Sequence, residues 1–434
     1  MQNSKSRRIR FDRLIDLLLP ILAVLAAFAV GAVILALQGV NPLEAYQAMI
    51  VGAFGSKNGW ADTLVKATPL LLIGVGIAIA FRGGVINIGA EGQLIVGALM
   101  TTYVGIQLGD KMPGFLVITI CIAAGTLMGA IWGAIPGILK AQLDVNEILT
   151  TIMMNAIAIQ GAYFLLRGPM IDPKELEAGT NIPHSARLLK SVDLPRFTDV
   201  AKSLGFTKSA EELGLSGGPA ELYGLLVEPT RFHTGFIFAV VVAILVYIFL
   251  WRTTIGYRIR AVGLNRHAAR YAGINVKRYI VLSITLSGAL AGLAGAIEIL
   301  GLHHRMFEPT AVSAGYGFTG IVAALFGKLH PLGIIPSSVL FGGLLVGGDK
   351  MQRAMQIPQV LITAILGLVV LFVVSTDYFS RKLSKRRIAI DTSETADPPS
   401  TTPPPESRPP DKTPPEPNAS GVSPGGVVTP GGVS

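Results

Sequence analysis

The chain has 434 residues, of which 51% are hydrophobic and only 15% are charged, a balance typical of a protein that lies in a lipid bilayer and not of a soluble globule. Its formal net charge is +9, but the basic residues stand in short segments beside apolar runs, as orientation signals do, so nucleic-acid binding is not expected. The single cysteine, Cys121, lies inside an apolar run and excludes a disulfide framework or a Cys-based metal site.

Long apolar stretches follow one another along most of the chain. A helix that crosses a bilayer needs about 20 mostly apolar residues. The sequence contains about ten such stretches, and it predicts an all-α polytopic membrane domain over residues 17–378. The stretch 312–326 is short and interrupted by glycines, so it is expected to be re-entrant or half-spanning. The predicted spans are 17–37, 64–81, 85–108, 114–139, 147–166, 235–251, 279–301, 312–326, 332–348 and 357–375.

The distribution of lysine and arginine predicts the orientation. Basic residues cluster in the N-terminus 1–16, after the last span, and in the loop 252–278, which carries seven. With ten crossings all three segments lie on one side, which the positive-inside rule makes cytoplasmic. The loop 168–234, with nine acidic and seven basic residues, then lies outside. A cleaved signal peptide is not favoured, because the first apolar run is about 21 residues long and no A-x-A site follows it.

Polar residues interrupt the apolar pattern at the start of the third span, FRGGVINIGAEGQ. Gly83 and Gly84 are expected to break the chain at the membrane surface. Asn87 and Glu91, four residues apart, should share one helix face, with Gln93 close by. An ionised glutamate in lipid costs several kcal/mol, so Glu91 is expected to face the protein interior or a wet cavity. A substrate path and a purely structural hydrogen-bond network both remain open.

Glycines recur every fourth residue in the fourth span, at Gly125, Gly129, Gly133 and Gly137, and therefore lie on one helix face. Gly288 and Gly292 repeat this pattern in the seventh span. Because lipid gives two helices no hydrophobic reason to meet, smooth glycine faces that allow close backbone approach are interpreted as packing surfaces.

Other polar groups stand near span ends. Glu147 opens the fifth span, where the helix dipole favours an acidic residue, and Asn155 lies two turns deeper. Glu298 lies near the outer end of the seventh span, and the following residues His303, His304 and Arg305 are expected to complete a polar mouth on the outside. Two adjacent histidines without a third ligand do not predict a metal site.

The loop IGYRIRAVGLNRHAARYAGINVKR, residues 255–278, contains a short helix with both ends specified. Asn265 is a plausible N-cap, and Gly273 ends the run that follows it. Small residues on one face fit a groove on a partner, while Arg266 and Arg270 are free to contact acidic groups. The loop therefore predicts a docking element.

The last segment, 379–434, is first basic and then rich in proline. Twelve prolines follow residue 388, and almost nothing there can be buried. A disordered cytoplasmic tail is predicted.

Taken together, NIGAEGQ, VNEILTTIMMNAIA, GLNRHAARYAGINVKR, GAIEILG and GYGFTGIVAALFG resemble the permease subunits of bacterial ABC importers for nucleosides and simple sugars, a group that includes ribose-like and branched-chain amino acid permeases. The likeness covers roughly residues 15–375 and is nearer to the nucleoside branch. It implies that the short helix is the coupling helix received by the ATPase, and that the polar third and fifth spans line the path. The implied coupling residues are Gly263, Leu264, Asn265, Ala268, Ala269, Ala272 and Gly273, and the path candidates are Asn87, Glu91, Gln93, Glu147, Asn155 and Glu298.

The resemblance also implies partners: ABC ATPase subunits, a second permease chain, and an extracytoplasmic lipoprotein that captures substrate. The sequence contains no G-x-x-x-x-G-K-[ST] phosphate loop, so ATP and Mg²⁺ are expected on the ATPase and no cofactor on this chain. The expected location is the bacterial inner membrane, with both termini cytoplasmic.

Two other functions compete with an importer permease. An ion-coupled secondary transporter could use Glu91 or Glu298 to bind the coupling ion. An intramembrane enzyme would need a nucleophile facing a base, or a metal cluster, and the sequence offers only scattered single groups.

Overall fold

The computed structural model of the chain describes residues 22–180, 182–206, 208–358, 360–365, 367–369, 371–372 and 375. Within these ranges every regular element is helical, apart from an isolated bridge between Arg196 and His233. The predicted basic N-terminus 1–16 and tail 379–434 lie outside the described residues. In chain order the helices are α1 (Leu22–Leu37), α2 (Pro42–Phe54), α3 (Lys57–Arg82), α4 (Ala90–Leu108), α5 (Gly114–Leu143), α6 (Glu147–Arg167), α7 (Pro173–Ala178), α8 (Phe197–Ser203), α9 (Gly218–Val227), α10 (Gly235–Arg252), α11 (Thr254–Leu264), α12 (Arg266–Tyr271), α13 (Val276–Glu298), α14 (Pro309–Ser313), α15 (Tyr316–Phe326), α16 (Pro331–Met355) and α17 (Val360–Val369).

Seven helical segments of the described chain are long and apolar enough to cross a membrane: α3, α5, α6, α10, α13 with the π-turn after it, α14 with α15, and α16. The chain is thus an all-helical, multi-pass membrane protein. The predicted count of about ten is not confirmed. The difference concerns α1 and α17, which are short apolar helices in the described residues, and α4, which carries polar side chains in its first turn.

Helices α3 and α13 form the centre of the bundle. Of their most apolar segments, 83% and 67% of the residues are buried, against 22% for α5 and α6 and 28% for α10. Helix α13 packs against α3, α4 and α5, while α3 also contacts α15 and α16. The peripheral helices therefore present apolar side chains to the lipid. Helix α2 was not predicted from the sequence and packs on α16.

The crossing of α5 and α13 confirms the two glycine faces as packing surfaces. A Cβ atom added at Gly129 would lie 2.4 Å from the carbonyl oxygen of Gly288, and one added at Gly292 would lie 2.4 Å from that of Gly125. No other residue type fits so close a backbone approach without displacing a helix.

The helix is broken within the segment 312–326, while the re-entrant or half-spanning course expected for this segment stays a prediction. Helix α14 ends at Ser313, the next residues Ala314 and Gly315 have φ angles of 45° and 71°, and α15 begins at Tyr316. A left-handed pair cannot continue a right-handed helix, so the segment is two short helices with a break between them.

The loop 168–234 is folded onto the end of α13. Backbone N–H groups of Ser185 and Leu188 donate to the carbonyl groups of Met306 and His304, each at 2.8 Å. An ion pair between Lys57 and Glu228 attaches the loop to the start of α3. These contacts hold parts of the loop against the end of α13 and the start of α3.

Candidate functional site

The chain between α3 and α4 is irregular over residues 83–89, here called the α3–α4 break. Asn87 precedes the helix that starts at Ala90, so the prediction that Asn87 and Glu91 share a helix face is wrong. The cause is local. Gly84 has a φ angle of 72°, and the Asn87 side chain accepts a hydrogen bond from Gly89 N at 2.9 Å, which competes with helical hydrogen bonding.

Asn87 joins the α3–α4 break to α4 and α13. Its amide nitrogen donates to Gln93 Oε1 and to Ser287 Oγ, both at 2.9 Å. Asn87 and Gln93 are fully buried, and each amide bonds to the other. Because their hydrogen-bonding groups are occupied within the protein, the geometry favours the structural alternative for these two residues over direct contact with a solute.

Asn155 fixes α6 to the same region. Its side-chain oxygen accepts from Gly92 N at 2.9 Å, and its nitrogen donates to the carbonyl of Ile88 at 3.0 Å. Sequence reasoning noticed Asn155 because apolar residues surround it. The structure brings it together with Asn87 and Gln93 as one connected polar region.

Glu91 connects α4 to the broken helix. Its carboxylate oxygen Oε2 accepts a hydrogen bond from Gly317 N at 2.7 Å and lies buried at the N-terminus of α15. The free N–H groups and the positive end of the helix dipole stabilise a carboxylate at this position. Glu91 therefore faces the protein interior, as predicted, and caps α15 across the bundle.

Glu147 and Glu298 lie apart from this region, at opposite ends of the bundle. Glu147 pairs with Lys140 at 3.2 Å where α5 meets α6. Glu298 is 1% exposed, and within the described part of the chain neither of its carboxylate oxygens has a hydrogen-bond partner. The closest basic atom is Nε2 of His303, 3.5 Å away in the π-turn Ile299–His303.

A cavity of about 630 Å³ opens beside the break between α14 and α15. None of the six path candidates from the sequence lines it. Its wall combines aromatic rings with hydroxyl groups and an ion pair between Lys66 Nζ and Asp349 Oδ2 at 2.5 Å. The principal lining residues are Lys66, Thr310, Tyr316, Phe318, Thr319, Phe341, Asp349 and Gln352.

Sequence reasoning missed both charged residues of the cavity. Lys66 falls inside the predicted span 64–81 and Asp349 directly follows the predicted span 332–348. An ionisable residue within a span is itself a signal of function or of a charge partner, and this signal was available.

A recess of about 320 Å³, here called the basic recess, lies at the end of α13 and is lined in part by residues of the loop 168–234. Three arginines from the loop meet the two histidines that follow α13. Although that loop holds more acidic than basic residues, its arginines converge here. The arginine and histidine residues of its lining are Arg187, Arg196, Arg231, His303 and His304.

Burial lowers the pKa of two histidines in this region, His304 and His233. Burial lowers the pKa of His304, while Asp193, whose carboxylate oxygen lies 2.7 Å from His304 Nδ1, opposes the shift. Burial also lowers the pKa of His233 to about 4, and positive charge on His304 and Arg196 acts in the same direction. Among the described residues no group of three His, Cys, Asp or Glu side chains is arranged to hold a metal ion.

Residues 252–278, which the sequence predicts to contain the coupling helix and which are here called the coupling segment, lie at the opposite end. Asn265 caps α12 as expected: its side chain accepts from the N–H groups of His267 and Ala268 at 3.0 Å, and Gly273 has a φ angle of 76°. A Cβ atom at Gly263 would lie 2.0 Å from the carbonyl oxygen of Arg82. The guanidinium of Arg266 donates to the carbonyl of Gly84 at 2.7 Å. The coupling segment is thus attached directly to the α3–α4 break.

The exposed face of α12 differs from the predicted one. Ala269 is only 4% exposed and packs against the rest of the chain, and Arg266 is engaged with Gly84. A free face made of Ala268, Ala269 and Ala272 therefore does not exist, because the packing of α12 against the rest of the chain buries Ala269. Ala268 and Ala272 are exposed, and beside them stand Leu264 and Tyr271, which are 87% and 94% exposed.

These features define a polytopic helical membrane protein with a broken helix beside a cavity and a capped helix with exposed apolar side chains at one end. The model of a known family, the permease component of branched-chain amino acid transport systems, matches residues 59–374. The chain belongs to this permease family.

Proteins similar to this chain are named as ABC transporter permeases. A glucose ABC transporter permease protein of Haloferax volcanii is 34% identical over 83% of this chain and 88% of its own length. A guanosine ABC transporter permease protein of Bacillus subtilis is 33% identical over 84% and 94%, and a nucleoside ABC transporter permease protein of Lactococcus lactis is 30% identical over 90% and 97%. No solved structure matches the chain. The similarity decides for an ABC transporter permease and against the ion-coupled transporter and the intramembrane enzyme.

Proposed function

We propose that this chain forms one half of the membrane channel of an ATP-driven importer, and that separate ATPase subunits, which bind ATP and Mg²⁺, dock on α12. The observation that carries this proposal is the position of Leu264 and Tyr271. They are large apolar side chains, almost completely exposed on a short capped helix. Because this helix is not a membrane span, contact with lipid does not account for their exposure. The helix is also attached to the α3–α4 break, so a force applied to it reaches the bundle.

The contacts suggest a route for that force. Gly263 and Arg266 hold the coupling segment to the α3–α4 break. The break leads into α4, whose Glu91 caps α15, and α15 lines the cavity. We propose that movement of α12 is transmitted along this chain of contacts and shifts the broken helix, which changes access to the cavity.

Replacing Glu91 with Gln tests this route. The variant keeps the size of the side chain but removes the charge that stabilises the start of α15. We expect normal capture of the ATPase together with strongly reduced ATP-driven uptake. Normal uptake by the Glu91→Gln variant would count against the route, and loss of ATPase capture would point to a general folding defect.

The proposed solute is a nucleoside, with a simple sugar as the alternative. Tyr316, Phe318 and Phe341 present aromatic rings to the cavity, and Thr310 and Thr319 supply hydroxyl groups. A flat base can stack on rings while ribose hydroxyl groups bind polar side chains; a sugar lacks the flat apolar ring.

The remaining parts of the assembly follow the family pattern. We propose a second permease chain that completes the channel, an extracytoplasmic substrate-binding lipoprotein that delivers solute at the basic recess after α13, and a bacterial plasma membrane location with both termini cytoplasmic. About ten crossings result when α1, α4 and α17 are added to the seven apolar segments.

Competition uptake tests the substrate class. In proteoliposomes that contain the complete transporter, an excess of unlabelled nucleoside should block uptake of labelled nucleoside, whereas glucose should not. Phe318→Ala should raise the KM for the nucleoside, while Phe164→Ala, 74% exposed on the peripheral helix α6, serves as the control. Efficient competition by glucose would favour the sugar.

A further inference from the structure

Two guanidinium groups lie against one tryptophan at the end of α10 that leads into the coupling segment. The Cζ atoms of Arg82 and Arg260 lie 5.5 and 5.4 Å from the centre of the Trp251 ring. Tyr247 and His330 pack on the same ring, at 5.5 and 4.9 Å between ring centres. These five residues, here called the Trp251 cluster, join α3, α10, α11 and the start of α16.

The positive charge of the Trp251 cluster has no negative partner within the described chain. Arg82 donates only to the backbone carbonyl groups of Lys328 and Leu329, at 3.3 and 3.2 Å. Buried Nε of Arg260 has no hydrogen-bond partner, and no carboxylate of the described residues pairs with either arginine. Two neighbouring cations and an unpaired donor are costly unless an anion binds beside them.

An apolar surface leads away from the cluster along α10. Ile244, Ile248 and Trp251 are spaced four and three residues apart and so lie on one face. Ile244 and Ile248 are 41% and 45% exposed on a peripheral helix, where they face the hydrocarbon of the bilayer. The ligand that fits both features is amphipathic, with a negative head and an apolar tail.

We propose that the Trp251 cluster binds an anionic phospholipid, with the phosphate beside Arg82 and Arg260 and an acyl chain along the exposed face of α10. The interfacial position of Trp251 and Tyr247 fits this arrangement. Bound there, the lipid would fasten the coupling segment to α3 and α16. The assignment of this lipid to the cytoplasmic leaflet rests on the proposed function, and the other parts of this proposal do not.

Lipid-dependent thermal stability of the purified full-length chain in detergent tests this site. Phosphatidylglycerol should raise the Tm, whereas phosphatidylethanolamine and inorganic phosphate should not. In Arg260→Gln the phosphatidylglycerol concentration for half of the effect should rise about fivefold, because one basic side chain is lost at the headgroup. Arg252→Gln, which removes an exposed charge from the same helix end, should behave as wild type.

Arg260 suits the test because its Nε makes no hydrogen bond whose loss would unfold the chain, and Arg260→Lys should recover part of the lipid effect. An equal effect of phosphatidylethanolamine, or an Arg260→Gln response identical to that of Arg252→Gln, would overturn the proposal. Stabilisation by inorganic phosphate alone would overturn the proposal and identify a soluble anion as the ligand of the Trp251 cluster. If lipids have no effect but Arg260→Gln weakens ATPase capture, the anion is a carboxylate of the ATPase.

Discussion

Tyr271 should be the main anchor of the ATPase, and its truncation to alanine separates docking from folding. The side chain is 94% exposed, so Tyr271→Ala should change the stability of the isolated permease by less than about 0.5 kcal/mol. On docking, a tyrosine buries roughly 150–250 Å², a gross gain of about 4–6 kcal/mol at ~25 cal/mol per Å². After the cost of ordering, a loss of about 2–4 kcal/mol of binding free energy is expected.

That loss corresponds to an increase in the Kd for the ATPase of about 30-fold or more. It is measured by capture of the ATPase on immobilised, detergent-solubilised permease, and by ATP-driven uptake in proteoliposomes. Leu264→Ala should act in the same direction with a smaller effect. Tyr103→Ala is the matched control, because Tyr103 is 49% exposed and lies near the end of α4 that is far from the α3–α4 break.

Ala269→Trp would not give the same information. Because Ala269 is buried against the permease, a tryptophan there overpacks the protein itself and lowers its stability before any partner binds. Wild-type capture and uptake in both Tyr271→Ala and Leu264→Ala would refute the assignment of this face.

Three further predictions concern other parts of the molecule. Gly129→Ala should lower the Tm by forcing α5 away from α13, since the new Cβ would lie 2.4 Å from a carbonyl oxygen. The control Gly161→Ala, whose Cβ would have nothing within 4 Å, should be neutral or stabilising. Equal Tm values for the two variants would contradict the packing argument. Lys66→Met should abolish uptake by leaving Asp349 unpaired in the cavity, and exchanging the two charges should restore part of it; unchanged KM and kcat in Lys66→Met would exclude a role for the pair. The folded-state pKa of His233, about 4, lies below its ordinary value of 6.5. As the pH falls, the unfolded chain therefore binds a proton at this residue before the folded chain does. The free energy of unfolding should fall by up to about 3 kcal/mol between pH 6.5 and pH 4. His233→Asn should flatten that pH dependence of the Tm, and an unchanged slope would show that other groups titrate.

Local signals in the sequence were sufficient for several elements. The ends of α12 were predicted because an N-cap asparagine and a left-handed glycine act within a few residues. The glycine faces of α5 and α13 were predicted because a spacing of four residues defines a helix face whatever the partner is. The interruption near Gly315 was predicted for a similar reason.

Contacts between distant residues were not predictable in the same way. Nothing in the sequence indicates that Glu91 caps a helix that begins 225 residues later at Tyr316, or that Ala269 points inward. The cavity combines Lys66 with Asp349, which only the packing of α3 against α16 brings together. The α3–α4 break extends beyond its glycines because the Asn87 side chain replaces helical hydrogen bonds, and this depends on partners in α4 and α13.

ATP-driven uptake in reconstituted vesicles tests the central claim most directly. Vesicles would contain the purified chain alone, or the chain with the proposed ATPase, second permease and substrate-binding lipoprotein. Each preparation would be measured with and without ATP and with and without a proton or sodium gradient. Uphill uptake of the nucleoside is expected only with the full set of subunits and ATP. Uphill uptake by the chain alone, driven by an ion gradient, would contradict the account.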